Sequence, residues 1–327
     1  MTGALTDGFG RVHRDLRISV TDRCNFRCTY CMPAEGMAWL PREELLSFEE
    51  IRRVARIFVE RFGFDGIRIT GGEPTVRAQL PRLVEMLAGL GVDVALTTNG
   101  ATLRLVAREL ADAGLRRINI SLDTFRPDRF LAITRRDGLE RVLDGVDAAL
   151  EAGLAPVKLN AVVMRGVNDD EILDFVEYGR RTGVVVRFIE FMPLDAQGEW
   201  TNDQVVTYDE IRGAIEAVHP LEALARGSAP AERFRYADGR GEVGIIASVS
   251  HAFCDTCDRV RLTAEGQLRN CLFATSDYDL RALLRGGAGD AELAARIEQA
   301  VAEKGPGHRI NQPLFIRPNR SMSQIGG

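Results

Sequence analysis

Apolar residues recur along the chain in two alternating periods. Short runs such as LRISV (16–20), GIRIT (66–70), DVALTT (93–98) and RINISL (117–122) read as strands, as do PVKLNAVV (156–163) and VVVRFIEF (184–191). Between them the spacing becomes helical. Residues 47–62 carry Ser47 as an N-cap, Glu50 three residues on, and apolar positions at Ile51, Val54, Ile57 and Phe58, the pattern of a capped amphipathic helix. Helical stretches at 79–90, 102–113, 138–152 and 169–181 complete the alternation. Six strands separated by helices predict parallel pairing through right-handed crossovers. Six repeats within roughly two hundred residues predict an α/β fold, a partial (β/α)6 TIM-like barrel, with an open doubly wound sheet as the alternative. A barrel places functional residues at the C-terminal ends of its strands.

After about residue 205 the pattern breaks. RGSAPAERFRYADGRGE (226–242) reads as a polar connector, followed by strands near 242–249, 258–263 and 267–271 and helices around 277–285 and 289–303. The tail NQPLFIRPNRSMSQIGG reads as irregular. The expected division is therefore a barrel over 1–205 and a C-terminal α+β segment over 206–327.

Composition narrows the class. The chain has 327 residues, 45% hydrophobic and 27% charged, as expected of a soluble globular protein. It shows no apolar run of membrane length and no signal-peptide pattern, so cytoplasmic residence is expected. A net charge of −5 argues against a nucleic-acid surface, and an anionic substrate would need a local cluster of cations. Only two lysines occur, Lys158 and Lys304, among 42 basic residues. All six cysteines fall into two triplets, Cys24, Cys28, Cys31 and Cys254, Cys257, Cys271, which reads as metal ligation.

The first triplet, CNFRCTYC, has C-x3-C-x2-C spacing. Three thiolates can hold three corners of an iron–sulfur cubane and leave the fourth iron open. A zinc site would need a fourth ligand, for which His13 upstream is the candidate. The second triplet is C-x2-C-x13-C, and with His251 before it a Cys3His zinc site is the slightly better reading on spacing alone. Arg259 and Arg261, alternate residues on one strand face, instead suggest an anion-binding wall beside an open iron.

CNFRCTYC resembles the motif of the radical S-adenosylmethionine (radical SAM) enzymes, and TGGEP (70–74) resembles their GGEP motif. The resemblance implies a [4Fe–4S] cluster on Cys24, Cys28 and Cys31 whose open iron binds SAM. It also implies SAM contacts from Tyr30, Gly72, Ser121 and Met192. A closer likeness, through "LRIS-TD-CNFRCTYC", IRITGGEP, LTTNG, RFIEFM, the second triplet and SQIGG, is to the GTP 3′,8-cyclase family of molybdenum cofactor biosynthesis. That likeness implies a second [4Fe–4S] cluster on Cys254, Cys257 and Cys271 that binds the guanine of GTP. It implies GTP contacts from Arg17, Arg68, Thr97, Lys158, Arg259, Val260 and Arg261, with Arg187 a weaker candidate, and entry of Gly326 and Gly327 into the active site. The partners implied are GTP, a cellular one-electron reductant and a downstream cyclic pyranopterin monophosphate synthase, for a monomer or homodimer. A radical SAM peptide-modifying enzyme and a zinc-binding interaction protein are the rival readings. No Walker-type phosphate loop occurs.

Overall fold

The computed structural model describes residues 3–326 apart from Ala196, Asn311, Leu314 and Asn319. In chain order its elements begin with β1 (Asp15–Ser19), α1 (Phe48–Phe62), β2 (Gly66–Thr70), α2 (Leu80–Ala88), β3 (Asp93–Thr98), α3 (Ala107–Asp112) and β4 (Arg117–Ser121). There follow α4 (Pro127–Thr134), α5 (Leu139–Glu151), β5 (Val157–Val163), α6 (Ile172–Thr182) and β6 (Val185–Glu190). The remainder holds α7 (Tyr208–Glu216), β7 (Leu221–Leu224), β8 (Glu232–Tyr236), β9 (Glu242–Ile246), β10 (Arg259–Leu262), β11 (Gln267–Arg269) and β12 (Tyr278–Asp279). Three helices close the chain: α8 (Arg281–Arg285), α9 (Asp290–Ala302) and α10 (Met322–Ile325).

Local chemistry accounts for the better-marked elements. α1 opens on a reciprocal capping box, in which the Glu50 N–H donates to the Ser47 hydroxyl at 3.1 Å and the Ser47 N–H donates to the Glu50 carboxylate at 2.7 Å. It stops at Gly63, whose φ of +71° favours glycine. In β5, Val157, Leu159, Ala161 and Val163 are buried while Lys158, Asn160 and Val162 alternate to the other face.

The six expected strands pair in parallel, in the order β1-β2-β3-β4-β5-β6. The parallel core is wider than that, because β10 adds beside β1 and β9 beside β6, both parallel. Antiparallel β11 and β12 extend one edge, and β8 and β7 the other. The sheet thus runs without a break through strands on both sides of residue 205. One apolar core, including Leu16, Ile69, Leu96, Ile120, Leu159 and Phe188, joins the sheet to its helices. A smaller cluster around Leu194, Val205, Val249, Phe273 and Ile310 lies under the C-terminal tail.

Several expectations are corrected. The stretch 226–242 is not a plain connector, since it contains β8, where Phe234 and Tyr236 are buried between outward-facing charges. Pro230 and the glycines around ERFRY mask that alternation. The stretch 102–113 divides into a short 3₁₀ turn and α3. α4 and α7 were not expected from periodicity, and part of the tail forms α10. No helix among the described residues is long and apolar enough to cross a membrane.

Candidate active site

Alternate residues of the eight parallel strands face one cavity of about 210 Å³. β1 and β2 contribute Arg17 and Arg68, β3 Thr97, β4 Asn119 and Ser121, and β5 Asn160 and Val162. β6 adds Arg187 and Ile189, β9 Ile246, and β10 Arg259 and Arg261. Tyr30, Asp123, Met192, Pro230, Ser248, Phe253, Leu272 and Met322 complete the wall. That one face of eight strands converges on a single cavity requires a curved sheet, which favours the partial barrel over a flat doubly wound arrangement. A larger groove of about 780 Å³, lined by Arg42, Gln79 and Arg82 among others, holds none of the residues expected to bind ligand.

The first triplet follows β1 in a loop fixed by its own backbone. The Cys31 N–H donates to the Cys28 carbonyl at 2.9 Å, the Phe26 N–H points at the Cys24 sulfur at 3.4 Å, and Arg27 Nη1 donates to the Cys24 carbonyl at 2.7 Å. Gly72 serves this loop directly: a Cβ there would lie 2.4 Å from the carbonyl oxygens of both Asp22 and Arg23. Burial pushes the Cys24 thiol up to about 12, helped by the Glu73 carboxylate, and Cys31 up to about 11. Cys28 rises well above its ordinary value through burial and the nearby Cys31. Three desolvated thiols, two of them raised further by neighbouring cysteines, need a cation to become thiolates, so the donor set fits an iron–sulfur cluster. His13, the candidate fourth zinc ligand, is not part of this site. It is fully buried, with Nε2 3.0 Å from Asp7 Oδ2 and Nδ1 3.5 Å from Lys304 Nζ.

Tyr30, beside the third cysteine, donates its hydroxyl to Asp123 Oδ2 at 2.6 Å. The Val162 N–H binds the other oxygen of Asp123 at 2.9 Å, and burial raises this carboxyl to about 6. Asp123, Asn119 and Asn160 were missed as cavity residues. The available signal was parity: Asn119 and Asp123 flank Ser121 two residues away on either side, and Asn160 lies two beyond Lys158.

The second triplet is assembled from two segments. Cys254 and Cys257 share a turn before β10, Cys271 follows β11, and the β10–β11 hairpin brings them together. They line a cavity of about 70 Å³ that shares Met192, Ser248, Arg259 and Arg261 with the larger one. Burial would raise the Cys257 thiol, yet Arg259 and Lys304 bring it down to about 7. Arg259 Nη2 lies 3.2 Å and Lys304 Nζ 3.6 Å from its sulfur. His251 is not at these cysteines; it is half-exposed, 3.7 Å from Asp209 and tilted against Tyr208. The histidine that does line this cavity is His308.

Between the triplets lies a row of cations. Arg17 stands in register with Arg68 on one side and Arg261 on the other. The Nε atoms of Arg17, Arg68, Arg187 and Arg259 are buried without a hydrogen-bond partner, and so is Asn160 Oδ1. The carboxylate paired with Arg17, Asp15, lies at 3.8 Å. Burial, with repulsion from neighbouring arginines, lowers Arg17 and Arg68 and brings Arg187 and Arg261 down to about 10. Lys158 falls to about 7, first through burial and then through Arg187. Clustered guanidinium groups with unsatisfied buried donors are costly, and an anion in the cavity reduces that cost. Thr97 and Lys158 flank Asn119 in register. The Val260 side chain lies in the core, which leaves only its backbone for a ligand.

The tail reaches the same place. Met322 lines the cavity, and Ser323 sits near Cys31, where it lowers that thiol against the effect of burial. The Gly326 carbonyl accepts from Arg261 Nη1 at 2.6 Å. With φ of +83°, a Cβ at Gly326 would stand 2.8 Å from Thr70 Cγ2 and 3.0 Å from Ser19 Cβ. Gly327 lies outside the described residues.

Comparison with known proteins agrees with this architecture. Residues 18–179 match the radical SAM superfamily and residues 184–310 match the family described as Molybdenum Cofactor Synthesis C. GTP 3′,8-cyclase of Streptomyces coelicolor is 49% identical over 99% of this chain and 96% of its own. The enzyme of the same name from Mycolicibacterium smegmatis is 50% identical over 99% and 92%. Among solved structures, SuiB of Streptococcus suis superposes with a TM-score of 0.61 at 13% identity, covering 94% of this chain and 77% of that one. The same protein bound to S-adenosylmethionine gives 0.59 at 15%, covering 88% and 68%; both show a shared fold. Fold and cysteine loop together define a radical SAM enzyme, a class that uses a [4Fe–4S] cluster and SAM. The chain belongs to the GTP 3′,8-cyclase family.

Proposed function

We propose that the chain converts GTP to 3′,8-cyclo-7,8-dihydro-GTP, the first step of molybdenum cofactor biosynthesis, as its relatives' names imply. Cys24, Cys28 and Cys31 would hold a [4Fe–4S] cluster that, with SAM, would supply a 5′-deoxyadenosyl radical; loss of hydrogen from C3′ of GTP, bonding of C3′ to guanine C8, and uptake of one electron from the reductant and one proton would then give the product. The chain's own residues bind, orient and exclude. Tyr30, Gly72, Ser121 and Met192 hold SAM, and Asp123 fixes the Tyr30 ring through its hydroxyl. Arg17, Arg68, Thr97, Lys158, Arg187, Arg259, Arg261 and the Val260 backbone hold GTP. A triphosphate carries about four negative charges and offers oxygens to the guanidinium donors that lack partners. Cys254, Cys257 and Cys271 hold a second [4Fe–4S] cluster that positions the guanine, within a 206–327 segment serving auxiliary-cluster and GTP binding alongside the 1–205 barrel. A cytoplasmic one-electron reductant feeds the reaction, and cyclic pyranopterin monophosphate synthase takes the product.

The observation that carries this reading is the row of arginines between the two cysteine triplets, four of which bury an Nε atom without a hydrogen-bond partner. The test is anaerobic reconstitution followed by incubation with SAM, reductant and GTP. We expect two clusters per chain and 5′-deoxyadenosine formed only when GTP is present; one cluster, or nucleoside formation indifferent to GTP, refutes it.

A further inference from the structure

Lys304, just beyond α9, is one of two lysines in the chain and is 4% exposed. Its ammonium group donates to the Arg259 carbonyl at 2.9 Å and stands 3.6 Å from the Cys257 sulfur. On its other side, 3.5 Å away, is His13 Nδ1, and His13 Nε2 is 3.0 Å from Asp7. Both His13 and Asp7 are buried. Asp7 also binds Arg11 Nε at 2.6 Å, and Arg11 donates to the carbonyls of Cys254 at 2.9 Å and Gly305 at 2.7 Å. The N-terminal segment and the segment after α9 are thereby tied to each other and to the second triplet. Lys304 lines neither cavity, so contact with a ligand there does not account for it.

We propose that Lys304 is a positioning residue for the second cluster, donating an N–H···S hydrogen bond to Cys257 and raising that cluster's reduction potential. The proposal rests on reading Cys254, Cys257 and Cys271 as cluster ligands. Hydrogen bonds and positive charge at a ligand sulfur stabilise the reduced, more negative cluster. Asp7 and His13 hold the lysine on that sulfur. A bland structural lysine, retained only for its bond to the Arg259 carbonyl, would leave the potential alone.

The test is a redox titration of the reconstituted full-length protein, followed by electron paramagnetic resonance, with the first cluster as internal reference because SAM perturbs its signal. In Lys304→Met we expect both clusters to remain. The reduction equilibrium of the second should fall about tenfold, a 59 mV shift for one electron, while the first stays put. Lys304→Gln, which keeps an N–H donor without the charge, should fall between. His13→Gln should shift the second cluster in the same direction by less. Two clusters with an unmoved second potential in Lys304→Met overturn the proposal; if that variant loses its second cluster, an unmoved potential in both Lys304→Gln and His13→Gln overturns it. A wild-type protein holding one cluster overturns the parent reading instead, and is told apart by its iron and sulfide content.

Discussion

The triplet at 24–31 lies among carboxylates, and the triplet at 254–271 lies among cations. Glu73 and Asp123 stand near Cys24 and Cys28 and reinforce what burial does to those thiols. Around Cys257, Arg259 and Lys304 outweigh burial and favour the thiolate. The first site is one short loop, whereas the second needs a turn, a hairpin and the segment after α9. Under the proposed assignment, equal ligand counts serve unequal tasks: a site for the methionine moiety of SAM tolerates nearby carboxylates, while a site beside a triphosphate is better served by cations.

The sharpest way to break this comparison is to remove one ligand from each. Cys24→Ala should abolish SAM cleavage and cost one cluster's iron, whereas Cys257→Ala should spare SAM binding and abolish GTP turnover. Identical behaviour of the two variants in iron content, SAM binding and 5′-deoxyadenosine assays would show that the sites are not distinct. Next in size is Arg17→Ala. Loss of a charge-assisted contact worth about 1.5–3 kcal/mol should weaken GTP binding by about 10- to 150-fold without moving SAM affinity. An equal loss for both ligands in equilibrium binding would contradict the division of the cavity.

Gly326→Ala tests the link between the halves, since its methyl group meets Ser19 and Thr70 and its backbone sits at positive φ. A strain of about 1–2 kcal/mol at this position should displace the tail and slow turnover about tenfold, with iron content unchanged. Normal turnover would mean the Gly326–Arg261 contact is dispensable. The smallest effect concerns Lys158. Its folded-state pKa is depressed to about 7, so its charge is present below that pH and lost as pH rises through it. The KM for GTP should then climb between pH 7 and 8.5, and Lys158→Arg, charged throughout, should climb less. Parallel KM profiles for the two proteins would exclude Lys158 from triphosphate binding.

The strands of the parallel core were legible because each is a short apolar run closed by a marked helix or turn. The expected span of β2, 66–70, coincides with the observed one, and Ser47 and Glu50 form the cap their spacing implied. The cysteines and arginines were legible as residue types at particular spacings. What the sequence hid was mutual placement. Nothing local marks β9 and β10 as parallel neighbours of β6 and β1, because that pairing joins segments far apart along the chain. His13 and His251 illustrate the same limit: proximity in sequence suggested them as zinc ligands, while the fold turns both elsewhere and puts His308 beside the second triplet.

The capture of both outer flanks of the β1–β6 ladder by late-synthesised strands also has a consequence for biogenesis. Until β9 and β10 emerge from the ribosome, β1 and β6 present unpaired backbone donors and acceptors along their full lengths, a template for association between nascent chains. Sealing of the β1 flank and the arrival of Arg259 and Arg261 at the cavity are then one event, because both arginines lie on β10. A truncated chain ending before β10 should be recovered as aggregate rather than as a half-active barrel.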